Sequence, residues 1–116
     1  MDTDKLQNLA EAYWRKYAKV FPFAAHHKCP TVKWNNRFTS TGGVNYSERN
    51  AVELARKFYV KFPEQILTVT LPHELAHQID YNIYGWSKGD RHHRQTWKNI
   101  MIKIGLPANI YHDMRL

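Results

Sequence analysis

Two histidines and a glutamate lie within one five-residue stretch, His73-Glu74-Leu75-Ala76-His77. If this stretch is helical, both histidines lie on one face, because side chains four residues apart are neighbours on a helix. Two imidazoles at that spacing can bind one metal ion, and H-E-x-x-H is the zinc-peptidase pattern whose glutamate acts as general base. Glu74 is rotated by about 100° from His73, so we expect it to reach a water at the metal. The alternative is a helix with two solvated histidines.

A long helix is predicted to carry this stretch. It is expected to begin at Pro63-Glu64, because proline suits the first helical position and glutamate suits the positive end of the helix dipole. Gly85 is predicted to end it. Pro72 falls inside the helix and removes one backbone hydrogen bond, so a kink is predicted just before His73.

A catalytic zinc ion normally needs a third protein ligand. The candidates are His92, His93, Asp80 and His112. A last helix is predicted over residues 91–104, ending at Gly105, and on it His93 shares the inward face with Trp97. His92 is rotated by about 100° from His93 and is expected to point towards solvent or a loop. His93 is therefore the preferred third ligand.

Asp80 and Tyr84 continue the helix face that carries the two histidines. Asp80 can orient an imidazole by a hydrogen bond from outside the ligand set. It can instead form a salt bridge with Arg91 or Arg94. Tyr84 can line the cleft, although packing against the core is the more ordinary role for a tyrosine.

The first half of the chain is predicted to supply one helix and a small antiparallel sheet. Residues 3–19 have apolar side chains at spacings of three and four, which indicates a helix capped by Asp2 or Thr3. Residues 31–46 resemble two strands joined by a turn at Gly42-Gly43. Residues 50–55 favour a third strand over a short helix because their apolar side chains alternate. The fold class is therefore α+β.

Composition indicates one folded domain over residues 1–116, with 43% apolar and 14% aromatic residues. The net charge of +7 favours an anionic partner such as nucleic acid, although it can serve solubility alone, since no block of like charges occurs.

The single cysteine, Cys29, excludes an intramolecular disulfide and a four-cysteine zinc site. It follows His26 and His27, and a loop with a free thiol is preferred there to a second metal site. The N-terminus lacks an apolar signal region, and no apolar run has the length of a membrane span. We therefore predict a monomeric cytoplasmic protein without membrane contact.

The stretch Pro72-His73-Glu74-Leu75-Ala76-His77, followed by His93-x-x-x-Trp97, Met101 and Gly105-Leu106-Pro107, resembles the SprT-like family. This family includes bacterial SprT and the protease domain of the Spartan DNA-repair proteins, and its signature is H-E-L-x-H followed by H-G-x-x-[FW]. The resemblance implies that one Zn²⁺ is bound by His73, His77 and His93, with Glu74 as catalytic acid/base. It also implies a minimal zincin-like fold with an N-terminal helix, a three-stranded sheet, the metal helix and a last helix carrying the third ligand.

Two departures from the family pattern affect these expectations. Arg94 stands where the family has glycine, so His92 remains an alternative ligand. Many relatives also carry a cysteine-ligated zinc ribbon, which one cysteine cannot supply, so DNA binding would have to use this domain's own surface.

Tyr111-His112 resembles a threonine-histidine pair of bacterial members, which implies that His112 lines the site.

The predicted function is that of a zinc endopeptidase acting on proteins or peptides, and the resemblance implies proteins bound or crosslinked to DNA. Candidate donors to the oxyanion are Tyr84, Tyr111, His112 and Arg115.

Five residues are candidate contacts to single-stranded DNA, and each can equally be an ordinary surface or core residue. They are Lys33, Trp34, Arg37, Arg91 and Arg94. The alternative is a non-catalytic, zinc-stabilised DNA-binding or adaptor domain, which has no need of Glu74. A metal-free helical interaction protein would leave three histidines unexplained.

Overall fold

The computed structural model describes residues 1–85, 95–106 and 114–116. The helices in these ranges are α1 (Thr3–Val20), α2 (Pro22–Ala25), α3 (Arg56–Lys61), α4 (Pro63–Gln65), α5 (Leu71–Tyr84) and α6 (Gln95–Lys103). A 3₁₀ turn spans Ser47–Arg49, and a π-helical turn, Ile66–Thr70, joins α4 to α5. The strands are β1 (Thr31–Asn35), β2 (Gly43–Tyr46) and β3 (Ala51–Ala55).

The predicted α+β class is confirmed, and the first helix lies where its apolar periodicity indicates. Asp2 caps α1, since its carboxylate accepts the backbone N–H of Lys5 at 2.8 Å. The buried side chains of α1 recur at spacings of three and four; they are Leu6, Ala10, Trp14 and Tyr17. They join side chains from β1, β3, α5 and α6 in a single hydrophobic core.

The sheet is mixed, so the predicted all-antiparallel arrangement was wrong. Its strand order is β1-β3-β2, with β1 parallel to β3 and β2 antiparallel to β3. The strands before and after Gly42-Gly43 therefore do not pair with each other. The third strand lies between them, and the short connection that closes a hairpin is the one from β2 to β3.

Two local backbone features accompany this pairing. Asn50, just before β3, has a φ of 50° and a ψ of 53°, a left-handed conformation that asparagine tolerates. Gly43 serves close packing, because a Cβ there would lie 2.9 Å from Leu54 Cδ2 and 3.1 Å from Thr70 Cγ2. The glycine pair thus lets β2 approach the π-helical turn, which a turn prediction based on adjacent glycines does not anticipate.

The outer edge of β1 is covered by one side chain of α1. The Gln7 amide accepts the backbone N–H of Val32 at 2.7 Å and donates to the carbonyl of Pro30 at 2.9 Å. Gln7 therefore offers β1 the donor and acceptor that a neighbouring strand would provide.

The long helix begins at Pro63, as predicted, and accommodates Pro72 through the π-helical turn. The N–H of Leu71 donates to the carbonyl of Ile66, five residues earlier. In that register the next carbonyl, that of Leu67, would pair with position 72, where proline has no N–H. The Tyr13 hydroxyl donates to Leu67 O at 2.9 Å and replaces the missing bond.

A second tyrosine of α1 holds the start of α5. The buried hydroxyl of Tyr17 donates to the carbonyl of Pro72 at 2.7 Å. Burial raises the pKa of both Tyr13 and Tyr17 above its ordinary value, so both hydroxyls stay protonated donors. Helix α1 therefore fixes the backbone immediately before His73.

The remaining elements surround α5. Helix α3 (Arg56–Lys61) follows β3 directly. Gly85 ends α5 with a φ of 68°, as predicted. Helix α6 packs against α5 through Trp97, Ile100 and Met101. Among the described helices, none combines the length and apolar character needed to cross a membrane.

Replacing Tyr13 by phenylalanine tests the role of its hydroxyl in the π-helical turn. The substitution leaves the Leu67 carbonyl without its donor, so we expect a loss of about 1–2 kcal/mol in the free energy of unfolding. Urea denaturation measures it. Tyr59→Phe is the matched control, because within residues 1–85, 95–106 and 114–116 the Tyr59 hydroxyl makes only an exposed contact with the N-terminal amine. This substitution should cost less than about 0.5 kcal/mol. Equal losses for the two variants would contradict the assignment.

Candidate metal centre

The histidines of the H-E-x-x-H stretch meet on one face of α5. Their Nε2 atoms are 3.2 Å apart. Two nitrogens bound to one tetrahedral zinc at about 2.0–2.1 Å would be separated by roughly 3.3 Å, so the pair is already spaced for one ion. Within the described ranges, His73, Glu74 and His77 form the group whose possible ligand atoms all lie within 4.8 Å of one another.

Trp97 of α6 packs against both imidazoles. Its ring is stacked on that of His77, with centroids 4.9 Å apart and an interplanar angle of 15°. It is tilted against His73 at a centroid distance of 4.6 Å, and its indole N–H donates to the His73 carbonyl at 3.3 Å. The tryptophan therefore restrains both rings and ties α6 to the metal helix.

Glu74 lies beside the histidine pair but is turned into the protein. The residue is only 8% exposed, and its Oε2 is 3.7 Å from Nε2 of His73. Burial raises the pKa of Glu74 to about 8, and a hydrogen bond from the backbone N–H of Asn45 offsets part of this effect. A carboxyl group with this pKa can take up and release a proton near neutral pH.

The described residues bring together His73, Glu74 and His77, as the sequence predicts. Asp80 is buried one turn after His77, whereas Tyr84 at the end of α5 is 57% exposed. Arg115 is exposed. Four other predicted site residues lie outside the described ranges, so the structure leaves them as predictions; they are His92, His93, Tyr111 and His112.

The predicted DNA contacts occupy several environments. Lys33 and Arg37 are exposed, and Trp34 is half-buried. The Trp34 indole N–H donates to the carbonyl of Met1 at 3.0 Å, and its ring packs against Tyr59 at a centroid distance of 4.7 Å. The guanidinium of Arg56 lies 5.0 Å from the centre of the Trp34 ring. Arg91 and Arg94 lie outside the described residues.

Sequence reasoning missed two polar residues of the site, Asn45 and Gln78. The Asn45 side chain donates to Oε1 of Gln78 at 2.9 Å, while its backbone contacts Glu74. The available signal was the four-residue spacing from Glu74 to Gln78 and then to Asn82, which places three polar residues on one helix face.

Cys29 is buried away from this chemistry. Burial, followed by the effect of Glu11, raises the pKa of its thiol to about 12. A thiol with this pKa stays protonated at neutral pH and is a poor metal ligand. His26 and His27 beside it are exposed, in keeping with the preferred interpretation of this stretch as a loop with a free thiol.

The amino-acid sequence matches the model of a known protein family. Residues 5–112 match the family model described as the SprT-like family. This chain belongs to the SprT-like family. The resemblance inferred from the histidine motifs is thereby confirmed.

Curated relatives within the SprT-like family come from several bacteria. Protein SprT of Actinobacillus succinogenes is 34% identical over 85 residues, which cover 72% of this chain and 48% of the relative. Protein SprT-like of Geobacillus kaustophilus is 32% identical over 107 residues, covering 92% of this chain and 66% of the relative. The chain thus spans about half to two thirds of the length of these relatives. Among solved structures, none matches this SprT-like chain significantly.

The raised pKa of Glu74 predicts a pH-dependent stability for the metal-free protein. Between about pH 4.5 and about pH 8 the unfolded chain loses the Glu74 proton while the folded chain keeps it, so folding stability falls as pH rises. Glu74→Gln removes the titrating carboxyl group, so this variant should not lose stability in that way as the pH rises. In urea denaturation with a chelator, the stability of this variant relative to the natural chain should rise by roughly 4 kcal/mol from pH 4.5 to pH 8.

Glu64→Gln, at an exposed position of α4, is the control and should show no such trend. A stability difference for Glu74→Gln that stays constant with pH would mean that the carboxyl group has an ordinary pKa.

Proposed function

We propose that this SprT-like chain is a zinc-dependent endopeptidase in which Glu74 is the general base. The observation that carries the proposal is a buried carboxyl group beside two imidazole nitrogens that lie 3.2 Å apart. A purely structural zinc site has no need of a base and usually has four protein ligands. Family membership is in accord with this activity.

Zinc, when bound, would lower the pKa of a water molecule and polarise the scissile carbonyl. Glu74 then accepts a proton from the attacking water and returns it to the leaving amine. The Asn45 N–H holds one side of the Glu74 carboxyl group, and Trp97 limits the rotation of His73 and His77. The residues of the chain thus supply a fixed base and a fixed pair of ligands.

His93 is the proposed third ligand. Trp97 lies against both imidazoles, and position 93 is four residues before it, which is about one helical turn. This placement supports a ligand delivered from the segment before α6. His92 remains the alternative because Arg94 replaces the family's glycine. Asp80 is proposed to orient an imidazole from outside the ligand set.

The donor that stabilises the oxyanion is proposed to come from the residues around the cleft. The candidates are Tyr84, Tyr111, His112 and Arg115. The described part of the chain supports a place near solvent for Tyr84 and Arg115, which are both exposed. Such a donor would act on the charge that develops on the scissile carbonyl oxygen.

The proposed substrates are proteins bound or crosslinked to DNA. The net charge of +7 supports an anionic partner. Trp34 supports contact with a single strand, because its half-buried aromatic ring lies 5.0 Å from the cationic group of Arg56. The exposed Lys33 adds positive charge on the same strand. Arg37, Arg91 and Arg94 are the further proposed contacts.

Glu74→Gln is the decisive variant for the enzymatic proposal. Loss of the general base should reduce cleavage of a DNA-binding test protein by roughly 10²–10⁴-fold, while bound zinc and affinity for single-stranded DNA stay within about twofold. Cleavage is followed by gel electrophoresis with and without single-stranded DNA. If the natural chain binds zinc and DNA but cleaves nothing, the non-catalytic adaptor function is correct instead.

His93→Ala tests the third ligand. Removing one of three protein ligands should weaken zinc binding by more than about 100-fold, as measured by competition with a chromophoric chelator. His92→Ala serves as its matched control and should leave the affinity nearly unchanged. If His92→Ala causes the larger loss, His92 is the ligand.

A further inference from the structure

A row of polar side chains runs along α5 behind the metal ligands. Glu74, Gln78 and Asn82 are four residues apart and therefore share one helix face. Gln78 is only 1% exposed, although its amide carries two donor hydrogens and an acceptor oxygen. Burying an amide group costs free energy unless the group is hydrogen-bonded. The hydrogen-bond partners of Gln78 therefore show which segments its side chain connects.

The partners of Gln78 lie mainly on β2 and the turn after it. Its Oε1 accepts from Nδ2 of Asn45 at 2.9 Å, and its Nε2 donates to the carbonyl of Ser47 at 3.1 Å. The Ser47 hydroxyl donates to Oδ1 of Asn45. Gln78 also donates to Oδ1 of Asn82 at 3.1 Å, and Asn82 donates to the carbonyl of Ala24 in α2 at 3.1 Å.

Asn45 contacts α5 at two points that are one helical turn apart. Its side chain donates to Gln78 at 2.9 Å, and its backbone N–H interacts with the carboxyl group of Glu74 and lowers the pKa that burial raises. Among the described strands, β2 is at the edge of the sheet and pairs with β3 alone, so its outer side depends on α5 for support. A shift of β2 along the helix would move the Asn45 N–H away from Glu74.

We propose that Gln78 is a positioning residue that holds Asn45 against α5 and thereby fixes the orientation of the Glu74 carboxyl group. The catalytic consequence rests on the proposed peptidase function. Gln78 is not placed to act on the substrate itself, so its proposed effect on catalysis is transmitted through its hydrogen bond to Asn45. A carboxyl group with one oxygen held by a fixed N–H keeps its other oxygen directed at the attacking water.

Gln78→Met tests the proposal, because methionine matches the length of glutamine and has no amide. We expect kcat to fall at least 10-fold, while KM for a peptide substrate and zinc affinity change less than threefold. Asn82→Ala is the matched control: it removes a residue of the same helix row and the same buried network that does not contact Asn45. Its kcat should stay within twofold of the natural chain, although its thermal stability should fall.

Asn45→Ala provides a second variant, which also decides the matter if Gln78→Met does not fold. It keeps the backbone N–H at position 45 and removes the side chain that Gln78 holds, so it should lose kcat by a similar factor. The double variant should lose no more than either single variant, since both break the same link. Losses that multiply, or a Gln78→Met kcat equal to that of Asn82→Ala, would overturn the proposal.

The amide proton of residue 45 gives a readout that does not require proteolysis. In ¹H–¹⁵N spectra recorded at about pH 9, where Glu74 is ionised, Glu74→Gln should move this resonance upfield, because the charge-assisted hydrogen bond is lost. Gln78→Met should move it in the same direction, and Asn82→Ala should leave it in place. If the natural chain cleaves nothing, the peptidase proposal fails, while this resonance still decides whether Gln78 positions Asn45. An unmoved resonance in Gln78→Met refutes the positioning role.

Discussion

Two imidazole nitrogens held 3.2 Å apart constrain the rest of the site. Two neutral imidazoles at this distance are compatible only if one donates to the other or if both share a cation. The helical spacing brings the rings of His73 and His77 together, but it leaves their rotation open. The stacked indole of Trp97 restricts that rotation from the side of α6. The two histidines therefore need a partner helix to become a rigid chelating pair.

The proposed base and the proposed metal ligands impose opposite demands on the same helix. Glu74 needs a buried environment to raise its pKa, whereas an open coordination position needs access for water and substrate. The structure separates the two demands by about 100° of helix rotation. Glu74 lies on the face of α5 that is directed towards β2. There the backbone of Asn45 offsets part of the rise in the Glu74 pKa that burial causes. The adjoining face presents the histidine pair to α6.

The sequence was informative where structure depends on neighbours along the chain. The periodicity of α1, the Asp2 cap, the start of the long helix at Pro63 and its end at Gly85 are local features, and the structure has them. Strand order depends on contacts between distant segments, so it could not be predicted from Gly42-Gly43, which face Thr70.

The π-helical turn and the surroundings of Glu74 show the same limit. The turn requires a hydroxyl from Tyr13, which is 54 residues before its acceptor, Leu67. The H-E-x-x-H spacing identifies the residues that are proposed to perform chemistry, because the proposed reaction fixes their types. Asn45 and Gln78 contribute through shape and hydrogen bonding, and many other residue pairs could do so. Their types are therefore much less diagnostic in a single sequence.

The covering of β1 by Gln7 bears on how the chain behaves in crowded solution. An uncovered sheet edge is a template on which strands of other molecules can assemble into fibrils. The Gln7 amide already occupies the N–H of Val32 and the carbonyl of Pro30. An incoming strand would have to displace a side chain anchored on an 18-residue helix. A single glutamine thus protects one edge of the sheet from pairing with another molecule, without lengthening the chain or adding a charge.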